Sequence, residues 1–569
     1  METQQEMARW REAGVLNERE LRELEEMERG GRLEEAFAQP LLFGTAGVRG
    51  VMAMGPGRFN RFTLGALAEA FGRWVLGQSE TARERGVCVG FDGRHQSKEL
   101  ARHAAALLRA MGIPVYLFAE PRPTPELSFS VLYYGAAGGL NITASHNTKE
   151  YNGCKLYGAG GAQLTDEESR AVAGIYESLP LLEYGKAGAP APEAWLSLQG
   201  DELDEAYLEA VKRLARGAAP EPAAAKKLRI VYTPLHGVGG ALMPRLFKEL
   251  GFETVFYAAN QMQPDGDFPT VESPNPEFDG AFTEALRVAR QTQADLILAT
   301  DPDADRLGVM ALDGGEYRRV NSNQLGCLMA EWMLKQYRAE EARPRPAIVK
   351  TVVSSPLANR VAAEYDAECL TTFTGFKHMA AAAQAWQKQG GAFLMAFEEA
   401  CGFMLGTHCR DKDGIAAAMV VCLMAAQQHR RRKTLFHAIH HQHFQYGYFQ
   451  EGAVNVVFPG NEAMEEMALA MKRLRLSPPG ELASTRIHAI RDYLNGTRTT
   501  FLPEKTEKLS LFGADMLYYE LCDGTGVAVR PSGTEPKIKC YIHAYGGSEK
   551  QAARRCERLE NAAEKLLRR

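Results

Sequence analysis

Val87-Cys-Val-Gly-Phe-Asp92 is followed by a helical stretch from Ser97 to Met111 and then by Ile113-Pro-Val-Tyr-Leu-Phe118. The outer two pieces are short apolar runs of the kind that form buried strands, and the middle piece opens on Ser97 as its own N-cap. Strands alternating with helices imply a parallel sheet with right-handed crossovers, which gathers loops and ligands at the carboxyl ends of the strands. The expected fold class is therefore α/β.

The next such end carries Gly139-Leu-Asn-Ile-Thr-Ala-Ser-His-Asn-Thr-Lys-Glu-Tyr-Asn-Gly-Cys-Lys155. Leu140 and Ile142 close a short apolar strand, and Thr143, Ser145, His146 and Asn147 then crowd polar groups together. Asn152-Gly153 turns the chain before Lys155. A serine hydroxyl is a poor nucleophile at neutral pH unless a neighbour takes its proton or a metal polarises it. Asp301-Pro-Asp-Ala-Asp-Arg306, directly after the apolar run Asp295-Leu-Ile-Leu-Ala-Thr300, offers the metal. In an extended segment, side chains alternate with period two, so Asp301, Asp303 and Asp305 are expected to project to one side and converge on one ion. Three carboxylates are hard ligands suited to Mg²⁺. A calcium EF-hand loop is excluded, because its sixth-position glycine and twelfth-position glutamate are Arg306 and Leu312 here.

A chain of 569 residues is too long for one core and implies three or four domains. Its 45% hydrophobic and 24% charged residues are those of a globular protein without membrane spans. The polar, acidic start Met1-Glu-Thr-Gln-Gln-Glu is unlike a signal peptide, so the cytoplasm is the expected location. The 10 cysteines contain no Cys-x-x-Cys pair and are expected to be reduced and mostly buried. A net charge of −5 gives no general attraction to nucleic acid, so an anionic ligand must be held by local basic groups. A sugar phosphate fits that requirement.

Leu16 to Phe37 reads as one Glu/Arg-rich amphipathic helix. Phe43-Gly-Thr-Ala-Gly-Val-Arg-Gly50 pairs glycines with Arg49, a fork for phosphate. Linker composition appears at 185–192 and 217–225, flanking a helix from Glu202 to Arg216, and sets a first boundary near residue 200. Leu235-His-Gly237 reads as steric relief before a packed helix. Thr372-Phe-Thr-Gly-Phe-Lys377 is a polar loop, and Phe393-Leu-Met-Ala-Phe-Glu-Glu-Ala-Cys-Gly402 is an apolar strand ending in two carboxylates, which suit vicinal hydroxyls. Lys412, taken alone, reads as a solvated loop charge. His437, His440, His441 and His443 follow the basic run Arg430-Arg-Arg-Lys433, but no carboxylate or cysteine cluster accompanies them and no metal is assigned there. Val527-Ala-Val-Arg-Pro-Ser-Gly-Thr-Glu-Pro-Lys-Ile-Lys-Cys-Tyr541 reads as strand, turn and strand. In it Arg530 can grip a phosphate bidentately, Ser532 and Thr534 donate hydroxyl bonds, Gly533 frees backbone amides and Lys537 adds charge.

From about Phe43 to about Gly547, these motifs in this order resemble the α-D-phosphohexomutases, the superfamily of phosphoglucomutase and phosphomannomutase. The signatures are the Thr-Ala-Ser-His-Asn loop at 143–147, the Asp-x-Asp-x-Asp-Arg loop at 301–306 and the Arg-x-Ser-Gly-Thr loop at 530–534. The resemblance implies three mixed-sheet α/β domains plus a smaller C-terminal α+β domain around a central cleft, divided at 1–200, 201–322, 323–445 and 446–569. It implies a phosphoglucomutase reaction between glucose 1-phosphate and glucose 6-phosphate, through a phosphorylated Ser145 and a sugar bisphosphate. Asp301, Asp303, Asp305 and Ser145 would hold Mg²⁺, and Arg49, Lys155 and Arg306 would surround the reacting phosphate. Thr374, Gly375, Glu398 and Lys412 would read the sugar, and Arg530, Ser532, Gly533, Thr534 and Lys537 would hold the other phosphate. His146 or Lys155 would move the proton. Ala400 stands where the family has serine and Phe397 where it has glycine, a departure resembling the phosphopentomutase-like branch. Glucose 1,6-bisphosphate is the expected activator, sugar phosphates the expected partners, and a monomer or homodimer the expected state. The alternatives are phosphopentomutase, phosphomannomutase, a hexose-bisphosphate synthase, or a silent sugar-phosphate-binding protein.

Overall fold

The structure, a computed structural model, describes residues 2–44, 47–185, 193–215, 226–339, 343–460, 462–532 and 536–568. Both linker stretches fall almost wholly outside them, as do Arg216, Gly533 and Thr534. Three mixed sheets and one antiparallel sheet follow one another along the chain. In the first, strand Val87–Phe91 pairs in parallel with Val115–Phe118 and Gly138–Ile142. Tyr151–Gly158 then runs antiparallel to Gly138–Ile142, and Gly47–Val51 antiparallel to it in turn. In the second, Leu296–Thr300 pairs in parallel with Ile230–Thr233 and antiparallel with Leu307–Asp313. In the third, Ala392–Phe397 pairs in parallel with Pro346–Thr351 and antiparallel with Phe403–Leu405.

The last unit is an antiparallel sheet that includes Tyr448–Val457, Gly526–Pro531 and Lys537–Gly546, with helix Glu549–Arg568 packed on it. Most of its apolar core is its own, and a smaller buried cluster of Val352, Val353, Tyr493, Met516, Ala528 and Tyr541 joins it to the third unit. The expected architecture of three mixed-sheet α/β units and a smaller α+β unit is the one observed. No helix among the described residues is long and apolar enough to cross a membrane.

Two local expectations are corrected, and one helix is new. The single N-terminal helix is two, Glu18–Arg29 and Leu33–Phe37, because the chain turns at Gly30-Gly31, where Gly31 has φ +67°. An unforeseen helix, Glu2–Glu12, precedes them and buries Trp10 against Phe37 and Phe62. Ser97 is not its own cap: Gln96 precedes the helix, and the Ser97 hydroxyl donates to Asp92 Oδ1 at 2.8 Å.

Candidate active site

The same device recurs in the first three units. A parallel strand ends, a short loop follows, and the chain returns as an antiparallel neighbour. The loops so formed are 143–150, 301–306 and 398–402, and each contains a non-glycine residue in the left-handed region: Ser145 (φ 52°), Ala304 (φ 55°) and Cys401 (φ 59°). That conformation costs on the order of 1–3 kcal/mol and persists only where surroundings hold it. The loops also hold one another. Leu307 N donates to Cys401 O at 3.0 Å, and Gly414 N donates to Ala304 O at 3.1 Å.

Ser145 is buried, and its hydroxyl lies 3.0 Å from Asp301 Oδ2 as donor and 3.3 Å from His146 Nδ1. Its amide donates to Thr143 Oγ1 at 2.8 Å. Burial, with Arg306 and Arg49 nearby, holds the His146 imidazole well below the usual histidine range, so it is neutral at pH 7. The loop is fastened from beneath by Arg94, a buried residue shortly past the end of strand Val87–Phe91. Its guanidinium donates to four carbonyls: Ser145 O at 2.7 Å, Thr148 O at 2.9 Å, Tyr151 O at 3.0 Å, and Asn147 O. Asp92 sits 3.3 Å from Arg94 Nε, and Arg49 reaches Asn147 Oδ1 at 2.7 Å from the other side.

Asp301, Asp303 and Asp305 converge, but not by extended-strand alternation. Ala304 N donates to Asp301 O at 2.9 Å, so the segment is a turn with Ala304 left-handed, and the turn folds the three carboxylates toward one point. One oxygen from each lies within 4.8 Å of the others, and all three residues are fully buried. Lys155 Nζ donates to Asp303 Oδ2 and Asp305 Oδ2, both at 2.7 Å, and Lys412 lies 3.2 Å from Asp305 Oδ2. Burial opposes ionisation of Asp303 and Asp305, yet the lysines hold both below the usual carboxylate range. Asp301 is pushed well above it by burial and by its two acidic neighbours. Asp303 Oδ1 and Asp305 Oδ1 remain buried without a hydrogen-bond partner. Unpartnered buried carboxylate oxygens are costly, and three hard oxygen donors at one point fit a Mg²⁺ ion.

Gly237 lets the Leu235-His-Gly237 turn lie against this loop, since a Cβ there would fall 2.4 Å from Pro302 Cα. Arg306 turns outward from the same loop, donating to Ala400 O at 3.1 Å and facing Glu277 at 3.5 Å. Glu398 lies beside it. Burial raises its carboxyl to about 7 despite Lys412 and Arg306 nearby. From the last unit, Arg530 Nη1 donates to Thr374 Oγ1 at 2.5 Å, next to Gly375 with φ +111°, and Ser532 N donates to Lys537 O at 2.8 Å.

The structure thus gathers Ser145, His146, Lys155 and the three aspartates into one cluster, with Arg49, Arg306, Glu398 and Lys412 around it. Arg530 of the last unit meets Thr374, beside Gly375. Lys412 is not a solvated loop charge: it is buried between Asp305 and Asp411. Lys155 is paired with both Asp303 and Asp305. Two positions escaped the sequence reading. Arg94 was signalled only by its place just after a strand end neighbouring the Ser145 strand. Thr124 opens a helix whose N-terminal amide donates to Asp303 O at 2.9 Å, and its hydroxyl donates to Asp303 Oδ2 at 2.6 Å. Asn141 Nδ2 donates in turn to Thr124 Oγ1 at 2.7 Å.

Four family models cover the same units: phosphoglucomutase/phosphomannomutase alpha/beta/alpha domain I at residues 40–182, domain II at 205–314, domain III at 321–443, and the C-terminal domain at 488–562. Phosphoglucomutase of Staphylococcus haemolyticus is 33% identical over 516 residues, covering 90% of this chain and 91% of the relative. The phosphoglucomutase of a bovine strain of Staphylococcus aureus is 31% identical over 543 residues, 95% of this chain and 94% of the relative. Among solved structures, one described as a phosphomannomutase from Thermus thermophilus superposes with TM-score 0.68 at 24% identity, covering 93% of this chain and all of the other. The open form of parafusin from Paramecium superposes with TM-score 0.65 at 18% identity, covering 92% and 94%. These two share the fold. With relatives of this identity spanning nearly its whole length, the chain belongs to the phosphoglucomutase/phosphomannomutase family of α-D-phosphohexomutases.

Proposed function

We propose that this chain is a phosphoglucomutase, interconverting glucose 1-phosphate and glucose 6-phosphate through a phosphorylated Ser145 and a sugar bisphosphate, and acting on pentose phosphates as well. The observation that carries this reading is the 3.0 Å hydrogen bond from Ser145 Oγ to Asp301 Oδ2. It sets a strained, presented hydroxyl at the edge of a carboxylate cluster fit for a hard cation. The names of the curated relatives support the choice of sugar.

Asp301, Asp303 and Asp305, with an oxygen on residue 145, would hold Mg²⁺. Bound there, the ion supplies positive charge against the transferring phosphoryl group. Lys155, Arg306 and Arg49 bring further positive charge to the phosphoryl oxygens, and Arg94 keeps the serine loop in its strained form. A sugar hydroxyl forms the new P–O bond as the Oγ–P bond breaks. His146, kept unprotonated by its lowered pKa, takes the hydroxyl proton and passes it to Oγ. Glu398 accepts from sugar hydroxyls beside Thr374, Gly375 and Lys412. Arg530, Ser532, Gly533, Thr534 and Lys537 hold the phosphate that does not react. The bisphosphate then turns over in the cleft, and Ser145 takes the other phosphate. Glucose 1,6-bisphosphate primes an unphosphorylated enzyme by the same transfer.

Intact-mass and peptide analysis before and after glucose 1-phosphate tests the covalent step, with glucose 6-phosphate measured in a coupled assay. One phosphate on the Ser145 peptide and steady formation of glucose 6-phosphate are expected. Accumulation of free bisphosphate would favour a synthase, and no turnover would leave only a binding protein.

A further inference from the structure

A cavity of about 600 Å³ opens on the outer side of the third unit, between helices Ser322–Arg338, Gly414–Arg430 and Leu435–Tyr446. The volume is within the range of small-molecule sites. Its floor is apolar and buried: Leu328, Trp332, Met424 and Leu435. The Trp332 indole is held in place, donating from Nε1 to Gln427 Oε1 at 3.1 Å.

The rim is cationic. Lys335, Arg431 and Lys433 are exposed, and among the described residues no carboxylate pairs with any of them. The charges of Lys335 and Arg430 complement the C-termini of their helices. The C-cap Arg431 shares that role, but Lys433 lies beyond it and His437 and His441 project from the next helix, so helix polarity does not account for these three. Thr434 N donates to His437 Nδ1 at 3.1 Å, so the neutral ring carries its proton on Nε2, the nitrogen left to donate to an occupant. The lining contains one carboxylate, Glu331, which already accepts from Gln442 Nε2 at 2.7 Å and Tyr446 OH at 3.4 Å. A positive cavity with an aromatic floor, on a chain of net charge −5, selects a compact polyanion attached to a flat apolar body.

We propose that this cavity binds a nucleoside polyphosphate, with the base over the Trp332 side of the floor and the phosphates among Lys335, Arg431, Lys433 and His437. The site is distinct from the catalytic cleft. Two of its helices have 17 residues each and run from it to the active-site loops, about 25 Å away along their axes. At the far end of one, Ser322 Oγ accepts from Cys401 N at 3.0 Å; at the far end of the other, Gly414 meets Ala304 O.

Titration calorimetry of the full chain with ADP, and separately with inorganic pyrophosphate, tests the proposal. ADP should bind once per chain and more tightly than pyrophosphate, and glucose 1-phosphate should not displace it. The double variant Arg431→Glu/Lys433→Glu should weaken ADP by at least about tenfold, with mutase turnover in the absence of ADP unchanged. Ala438→Trp, which fills the cavity from a half-buried wall position, should abolish ADP binding. The proposal is overturned by absence of ADP binding, by equal binding to both variants, or by displacement with glucose 1-phosphate, which would place ADP in the catalytic cleft.

Discussion

Two halves of the cleft are built differently. On one side the Ser145, Asp301 and Glu398 loops are stitched to one another by backbone and side-chain hydrogen bonds, with the serine carbonyl clamped by buried Arg94 and the aspartates by Lys155, Lys412 and Thr124. On the other, Arg530 arrives on a unit whose main core is its own and which meets the third unit at Thr374 and at the cluster around Val353 and Tyr541. Fixed parts suit bond making, whose rate falls steeply with small misplacement, whereas a unit with a core mostly its own can shift while a substrate turns over. Variants in the two halves should therefore fail in different kinetic parameters.

The largest effect is expected for Ser145→Ala. Turnover should fall by at least about four orders of magnitude while sugar-phosphate binding, measured by calorimetry, persists; normal turnover would remove the serine from the chemistry. Arg94→Lys comes next. Lysine keeps the charge but cannot donate to four carbonyls in one plane, so kcat should drop by about a hundredfold with KM little changed. A change confined to KM would place Arg94 in the gripping half instead. Arg530→Ala should show the opposite pattern. Losing a charged contact of about 1.5–3 kcal/mol raises KM roughly ten- to hundredfold, and an unaltered KM would break the contrast between the halves.

The smallest effect is in the pH profile. Glu398, raised by burial to about 7, is protonated below that value and ionised above it. A protonated carboxyl accepts fewer sugar hydroxyls, so kcat/KM should decline as pH falls through about 7, and Glu398→Gln should abolish that dependence. An acid limb surviving in the glutamine variant would belong to another group.

What the sequence revealed follows from how each residue works. Ser145, the three aspartates and Arg530 lie in contiguous motifs whose chemistry is local, so they could be read directly. Arg94 and Thr124 act through partners 51 to 57 and 179 positions away, respectively, and nothing beside them in the chain announces those contacts. The aspartates converge through the left-handed turn at Ala304, and an alternating Asp-x-Asp-x-Asp pattern does not distinguish that turn from an extended strand. The alternation of strands and helices sufficed for the sheet class. The antiparallel return strands, which create the three hairpin loops, carry no separate sequence signal.

The position of Lys155 has one more consequence. Its ammonium group already bridges Asp303 and Asp305, so a chelated enzyme keeps a resident counter-charge at the spot where repulsion would otherwise build. Stripping the ion should therefore silence the protein without unravelling it, and the same sample should recover when magnesium is returned.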